Sequence, residues 1–172
     1  REKNLVIRAL IIDDEESAIN VVKLLLQKYI AEVNEVYTAI GASEGIAAIN
    51  KYKPQLVFLD VEMPLLNGFQ LLEKFPTHSF DIIFITAYDH YAIKAIKYSA
   101  LDYLLKPIDT EELKAAIQRF LQKQNNNNQK KLYENLTYNL NLPEISSKYR
   151  LALTTTDGTF FYSFYEIIRC EA

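Results

Sequence analysis

The residues that decide the fold are Leu56-Val57-Phe58-Leu59-Asp60, which lead into Val61-Glu62-Met63-Pro64-Leu65-Leu66-Asn67-Gly68. The four apolar residues before Asp60 are typical of a short strand that is buried on both faces. A carboxylate directly after them is predicted at the carboxyl end of that strand, where open α/β sheets place their ligand sites. Asp60 is therefore the first candidate for a chemical role.

Two other apolar runs also end in charged residues. Ala9-Leu10-Ile11-Ile12 leads into Asp13-Asp14, and Tyr103-Leu104-Leu105 leads into Lys106-Pro107, whose peptide bond fits a cis isomer. Because the carboxyl ends of parallel strands share one sheet edge, we expect three acids and one lysine to meet there. Carboxylate oxygens suit Mg²⁺, and an ammonium group can neutralise a phosphoryl group. The joint arrangement predicts a site for Mg²⁺ and a phosphoryl group.

The predicted chemistry follows from these charges. Asp14 and Asp60 are the expected Mg²⁺ ligands, with Asp13 holding a coordinated water. Without a cation, three neighbouring carboxylates repel one another, so cation binding relieves the repulsion. Asp60 can then act as a nucleophile and form an acyl phosphate. Thr86 ends a further apolar run and offers a hydroxyl near the same edge.

Short apolar runs alternate with helical periodicity five times between Ile7 and about Gln122. This alternation predicts a parallel sheet with right-handed crossovers and helices on both faces, a doubly wound α/β domain. The predicted strands are Ile7–Ile12, Val33–Ala39, Leu56–Asp60, Ile82–Thr86 and Asp102–Leu105. The predicted helices are Glu16–Tyr29, Ser43–Lys51, Gly68–Phe75, Tyr91–Tyr98 and Thr110–Lys123.

The remaining residues predict a linker and a short β tail. The polar run Asn125–Asn128 indicates that the last helix ends, so residues 124–149 are predicted as a linker with a possible helical extension over Lys130–Leu136. Arg150–Thr155 and Thr159–Ile168 flank Asp157-Gly158, a strong hairpin signal. Two strands do not make a stable unit in water, so the tail over residues 150–172 is expected to need a partner or further sequence.

Composition narrows the class of protein. With 172 residues, of which 49% are hydrophobic and 24% charged, the chain is expected to be soluble, with one domain and an appendage. Cys170 is the single cysteine, which fits a reducing compartment such as the cytoplasm. No apolar stretch is long enough for a bilayer span, so no membrane partner is expected. The net charge of −3 argues against a strongly basic nucleic-acid surface.

Four motifs together resemble the response-regulator receiver domains of two-component signalling. They are Ile12-Asp13-Asp14-Glu15, Asp60-Val61-Glu62-Met63-Pro64 with Asn67-Gly68, Thr86-Ala87 and Lys106-Pro107. The resemblance covers residues 5–123 and implies a flavodoxin-like (CheY-like) fold with strand order 2-1-3-4-5. It also implies phosphorylation of Asp60 by a partner sensor histidine kinase, which is signalling chemistry and not that of a metabolic enzyme.

The same resemblance implies roles for individual residues. Mg²⁺ would be held by Asp14, Asp60 and the backbone carbonyl of Glu62, with Asp13 in support. The implied phosphoryl-binding and switch residues are Thr86, Ala87, Lys106 and Tyr103, of which Tyr103 matches the aromatic switch of the family.

We expect phosphorylation to draw Thr86 toward the phosphoryl group and to let Tyr103 rotate inward, as a shift in population toward an active arrangement. Glu62 and Tyr88 are expected at the rim of the phosphoryl pocket. There they either obstruct or orient the attacking water, or they are simply loop residues.

A homodimer is expected on phosphorylation. Ile93, Ile96 and Tyr98, mixed with lysines, are predicted to form an exposed apolar face that suits a symmetric contact.

A second resemblance is to the LytTR (LytR/AlgR) group of regulators. It rests on Thr86-Ala87-Tyr88, on His90-Tyr91-Ala92-Ile93-Lys94-Ala95 and on the run from Ala100 to Pro107. Residues 150–172 are similar to the opening strands of the DNA-binding domain of that group. The resemblance implies a transcription regulator that reaches DNA only through a full-length output domain, of which this chain holds the start.

Other functions remain open. A receiver can act through protein contacts, or as a phosphorelay element without DNA binding. A phosphatase of the haloacid-dehalogenase type also uses an aspartate after a strand, but it expects a second Asp two residues later, where this chain has Glu62. Nucleotide binding through a glycine-rich loop is not indicated, because the chain has four glycines and no such motif.

Overall fold

The computed structural model describes residues 6–140, 150–155 and 158–163. The chain forms two compact units, Val6–Phe120 and a second that includes the chain from Leu121 onward. The elements of the first unit are β1 (Ile7–Asp13), α1 (Glu16–Tyr29), β2 (Val33–Ile40), α2 (Gly41–Tyr52), β3 (Leu56–Leu59), α3 (Gly68–Leu72), β4 (Asp81–Thr86), α4 (Ala92–Lys97), β5 (Asp102–Leu105) and the start of α5 (Thr110–Leu140).

The five strands form one parallel sheet in the order β2-β1-β3-β4-β5. This is the predicted doubly wound order. The three central strands, β1, β3 and β4, are buried on both faces because they carry almost unbroken apolar runs, whereas the edge strands β2 and β5 are partly exposed. Leu10, Val57 and Phe84 belong to one core cluster, while Ile11 and Phe58, their neighbours of opposite orientation, are also buried. All predicted sites at the carboxyl ends of strands therefore lie along one edge.

Helix α3 ends earlier than predicted at its carboxyl end. Asn67 and Gln70 form a capping box that starts the helix, with each side chain paired to the other's backbone amide. The last turn tightens, since Lys74 and Phe75 donate to carbonyls only three residues back, and Pro76 follows. The helix therefore ends at Leu72, before the predicted Phe75.

The predicted end of the last helix was wrong. α5 runs for 31 residues, Thr110–Leu140, and passes through Asn125–Asn128 without a break. Each asparagine destabilises a helix by less than about 1 kcal/mol relative to alanine, which is similar to the cost of many other residues found in helices. No glycine or proline interrupts this stretch. The predicted linker over residues 124–149 is thus helical as far as Leu140, and residues 141–149 lie outside the described part.

The tail forms the predicted hairpin. β6 (Arg150–Thr155) and β7 (Gly158–Ser163) pair antiparallel, with Thr155 opposite Gly158. The second strand was predicted to reach Ile168, but residues 164–172, including Cys170, lie outside the described part. Within the described ranges, no helix combines the length and apolar character that crossing a membrane requires.

Candidate functional site

Asp60 stands where the sequence predicts, directly after β3. Its backbone amide donates to the Ile12 carbonyl at 2.9 Å, which ties the end of β3 to the end of β1. Its side chain is nearly buried, since the residue is 6% exposed. The following loop turns back over it, with the Gly68 amide donating to the Val61 carbonyl at 2.8 Å. Gly68 is required here, because a Cβ would lie 2.3 Å from the Asp60 carbonyl oxygen.

Asp13 and Asp14 join Asp60 at this edge. Asp13 ends β1, is 3% exposed, and accepts a hydrogen bond from the Glu15 amide at 2.9 Å. Asp14 is more accessible to solvent. Carboxylate oxygens of the three acids all lie within 4.8 Å of one another. The expected acidic cluster is therefore present, with one accessible member.

Lys106 links the cluster to β5. Its ammonium nitrogen lies 2.7 Å from Asp13 Oδ2 and 3.0 Å from Asp60 Oδ2. Its backbone amide donates to the Thr86 carbonyl at 2.9 Å, so β4 and β5 together position it. The Lys106–Pro107 peptide bond is cis, as the sequence suggested. The lysine thus contacts two of the three acids directly.

Burial and the neighbouring carboxylate disfavour the negative charge on Asp60. Burial is the main cause that raises the pKa of the Asp60 carboxyl, and the Asp13 carboxylate adds to it, while Lys106 acts in the opposite direction. Burial alone would lower the pKa of Lys106, but its hydrogen bonds to Asp13 and Asp60 raise it overall. Lys106 therefore remains charged at neutral pH, and additional positive charge at the cluster is favourable.

Thr86 supplies an unpaired polar atom beside Asp60. The residue is fully buried at the end of β4, and its Oγ1 makes no hydrogen bond of ordinary geometry within the described part of the chain. A buried hydroxyl without a partner is costly and therefore uncommon. The hydroxyl is nevertheless close enough to the Asp60 carboxylate to lower the pKa of Asp60, as the smallest of the contributing causes. Ala87, which follows it, is exposed.

The donor set fits Mg²⁺. The three clustered carboxylates offer hard oxygen ligands, and the accessible Asp14 leaves room for waters. The Glu62 amide lies 3.4 Å from Asp60 Oδ1, so the backbone of Glu62 is next to the same carboxylate. The three acids that the sequence pointed to as metal ligands are thus together, and the role of the Glu62 carbonyl as a ligand stays a prediction.

The rim holds a contact that the sequence did not predict. Glu62 and Tyr88 are both exposed. The Tyr91 hydroxyl donates to Glu62 Oε1, and this bond raises the pKa of Tyr91, which stays protonated as a donor. In the sequence analysis, Tyr91 is the first residue of a predicted helix and part of the stretch that resembles the LytTR group, without any predicted hydrogen-bond partner. Its partner lies 29 residues away, so periodicity carried no signal of it.

Tyr103 is half-buried on β5 beside the rim. Its hydroxyl donates to the Tyr88 carbonyl, and its ring centroid lies 6.2 Å from that of Phe84. Burial is the main cause that raises its pKa. Tyr103 is therefore already connected to the loop after Thr86, while its switch role and its rotation on phosphorylation stay predictions.

The predicted apolar dimer face is smaller than expected. Ile96 is 75% exposed, but Tyr98 packs against the core cluster and donates to Glu73 Oε1 at 2.9 Å. The side chain of Ile93 lies outside the described part. Tyr98 belongs to the attachment of α4 and not to an exposed surface.

Comparison with known proteins shows the family to which this chain belongs. Residues 9–118 match the response regulator receiver domain family. An uncharacterized response regulatory protein of Vibrio cholerae is 42% identical over 114 residues, which cover 66% of this chain and 48% of that protein. The transcriptional regulatory protein BtsR of Escherichia coli K12 is 38% identical over 130 residues, covering 75% of this chain and 54% of BtsR.

The fold has close structural counterparts as well. The crystal structure of a response regulator receiver domain protein from Clostridium thermocellum aligns with a TM-score of 0.62 at 30% identity, covering 70% of this chain and 98% of that one. The chain spans about half the length of the curated relatives it matches. Through residues 9–118, this chain belongs to the family of response regulator receiver domains.

Proposed function

We propose that Asp60 accepts a phosphoryl group from a sensor histidine kinase, with Mg²⁺ bound beside it. One observation carries the proposal: a nearly buried aspartate lies among two further carboxylates and a charged lysine, next to an unpaired threonine hydroxyl. Asp14, Asp60 and the backbone carbonyl of Glu62 would hold the metal ion, with Asp13 in support. The bound ion would neutralise phosphoryl oxygens and the clustered acids.

The transfer itself is a substitution at phosphorus. An Asp60 carboxylate oxygen attacks the phosphorus of a phosphorylated histidine, a P–O bond forms, and the P–N bond to the imidazole breaks. The Lys106 ammonium, now 3.0 Å from Asp60 Oδ2, stabilises a phosphoryl oxygen, and the Thr86 hydroxyl donates to another. Ala87, which is small and follows Thr86, leaves the phosphoryl group room.

We infer that the phosphorylated domain changes its contacts. Movement of Thr86 toward the phosphoryl group would change the space available to Tyr103, whose hydroxyl bonds the Tyr88 carbonyl. The output would be a homodimer that controls a LytTR-type DNA-binding domain in the cytoplasm. The relative BtsR is named as a transcriptional regulatory protein, which supports a transcriptional output. Any DNA contact would be made by that output domain.

A receiver that acts through protein contacts, or as a phosphorelay element without DNA binding, is the second candidate. It rests on the family match over residues 9–118, which identifies a receiver and leaves its output unspecified. The two candidates differ in the output and share the chemistry at Asp60. Binding of the phosphorylated full-length protein to DNA would separate them.

The test of the proposal is direct phosphorylation. The chain is incubated with Mg²⁺ and acetyl phosphate, and intact mass is measured. We expect a gain of one phosphoryl group, which is lost in Asp60→Asn and when Mg²⁺ is chelated. A parent chain that gains no mass, or an Asp60→Asn chain that gains the same mass, would contradict the proposal.

A further inference from the structure

Helix α4 is attached at both ends by a tyrosine–glutamate hydrogen bond. Tyr91, at its amino end, donates to Glu62, and Tyr98, at its carboxyl end, donates to Glu73 at 2.9 Å. Both tyrosine rings also pack on the buried Phe69, with centroids at 5.9 and 5.1 Å. The two attachments therefore share donor, acceptor and ring contact.

They differ in what the glutamate adjoins. Glu62 lies two residues after Asp60, and its amide is 3.4 Å from Asp60 Oδ1. Glu73 caps the carboxyl end of α3, the end opposite Gly68, which contacts the Asp60 backbone. Loss of the Tyr91 hydrogen bond therefore affects a glutamate next to the phosphoryl site. Loss of the Tyr98 hydrogen bond affects only the attachment of the carboxyl end of α4.

Tyr91 is a fixed point for a side chain that would otherwise be free. Its ring is held by Phe69 and by His90, whose ring centroid lies 4.2 Å away. Glu62 is exposed, and an exposed glutamate without a partner samples several rotamers. A hydrogen bond to a carboxylate is among the stronger kinds and holds one rotamer. Tyr91 therefore determines where the Glu62 carboxylate stands.

We propose that Tyr91 is a positioning residue that holds the Glu62 carboxylate against the start of α4, and so slows hydrolysis of the phosphorylated Asp60. This rests on the proposed function. In hydrolysis a water oxygen attacks phosphorus, the bond between phosphorus and the Asp60 oxygen breaks, and inorganic phosphate leaves with the Asp60 carboxylate restored. The water must lose a proton, and a released Glu62 carboxylate can accept it.

The test compares tyrosine-to-phenylalanine changes at the two attachments. Each chain is phosphorylated with Mg²⁺ and acetyl phosphate, the donor is removed, and decay of the acyl phosphate is followed by intact mass. Tyr91→Phe keeps the ring but frees the Glu62 carboxylate. We expect decay to accelerate about three- to tenfold, because the net free energy of one hydrogen bond sets how strongly Tyr91 keeps Glu62 from acting as a general base. Tyr98→Phe is the matched control and should decay at the parent rate.

A second pair of variants asks whether Tyr91 acts through Glu62. Tyr91→Phe placed in a Glu62→Ala chain should change nothing further, because the carboxylate that it releases is absent. A parent chain that is never phosphorylated would refute the proposed function itself. With a phosphorylated parent, three results would each overturn this inference: a Tyr91→Phe decay that is unchanged or slower, an equal acceleration in Tyr98→Phe, or an acceleration that persists without Glu62.

Discussion

Lys106 Nζ lies 3.0 Å from Asp60 Oδ2, so the residue proposed to receive the phosphoryl group and the residue proposed to bind its oxygens form an ion pair. The same nitrogen lies 2.7 Å from Asp13 Oδ2. The lysine thus balances two buried carboxylates, and phosphorylation would require it to exchange one of these contacts for a phosphoryl oxygen. The Lys106 ammonium group therefore has a structural role, as the ion-pair partner of the two acids, and a proposed chemical role, as a ligand of the phosphoryl group.

Removing that ammonium should therefore affect both phosphorylation and stability. We expect Lys106→Met to slow phosphorylation by acetyl phosphate about a hundredfold, the usual effect of losing one charge-stabilising donor. It should also destabilise the fold by about 1–3 kcal/mol, because Asp13 and Asp60 lose their shared cation. Initial rates of mass gain and urea unfolding measure the two effects. Lys114→Met, which removes an exposed ion pair with Glu111, is the control and should change neither.

Mg²⁺ should stabilise the folded chain. Binding at about ten times the dissociation constant contributes about 1.4 kcal/mol, since the unfolded chain does not hold the three carboxylates together. Thermal unfolding with and without Mg²⁺ measures this increase in Tm. In Asp14→Asn the increase should shrink, because the accessible carboxylate is lost. An equal rise in Tm in the parent and the variant would show that the ion binds elsewhere.

The raised pKa of Asp60 predicts a pH-dependent stability. The native state holds the Asp60 proton more tightly than the unfolded chain does, so this contribution is fully present below the unfolded pKa, near 3.8, and is lost as pH rises through the raised native pKa. With Mg²⁺ chelated, Asp60→Asn should unfold at a higher temperature than the parent at neutral pH. The gap should narrow as the buffer approaches about pH 4. A gap that widens on acidification would mean that burial does not dominate at Asp60.

Gly68 should tolerate no side chain. A Cβ would meet the Asp60 carbonyl oxygen at 2.3 Å, so Gly68→Ala should cost about 1–3 kcal/mol and displace the phosphoryl site. Gly41→Ala is the control for glycine loss alone. Its backbone has a φ of 73°, but an added methyl there meets no described atom within 4 Å. We expect Gly41→Ala to cost about 1 kcal/mol and to leave phosphorylation intact, as measured by denaturant unfolding and mass gain.

Tyr103 should transmit phosphorylation to the dimer. Tyr103→Ala removes both the ring and the hydroxyl that bonds the Tyr88 carbonyl, and it should still be phosphorylated without dimerising. Tyr103→Phe, which keeps the ring, should retain part of the response. Light scattering before and after phosphorylation measures the oligomer. If phosphorylated Tyr103→Ala dimerises like the parent, the switch role is lost.

Much of the sheet could be predicted because strands that are buried on both faces have short, almost continuous apolar sequences. Leu56–Leu59 reads as such a strand, and the residue after it must stand at the sheet edge. Helix ends were less predictable. Asn125–Asn128 looks like a break by composition, but its weak propensity is outweighed by the good helix formers on either side, and the helix continues.

The sequence by itself determined that Asp13, Asp14, Asp60, Thr86 and Lys106 share one edge, because parallel strands joined by right-handed crossovers leave no other place for residues that follow their apolar runs. Only the tertiary structure decided which of these groups touch. Lys106 contacts both Asp13 and Asp60 because of its rotamer and the packing of loops far apart in the chain. The same is true of the hydrogen bond by which Tyr91, rather than solvent, holds Glu62. Local periodicity carries no record of such distances, since they are set by how the loops fold over the sheet.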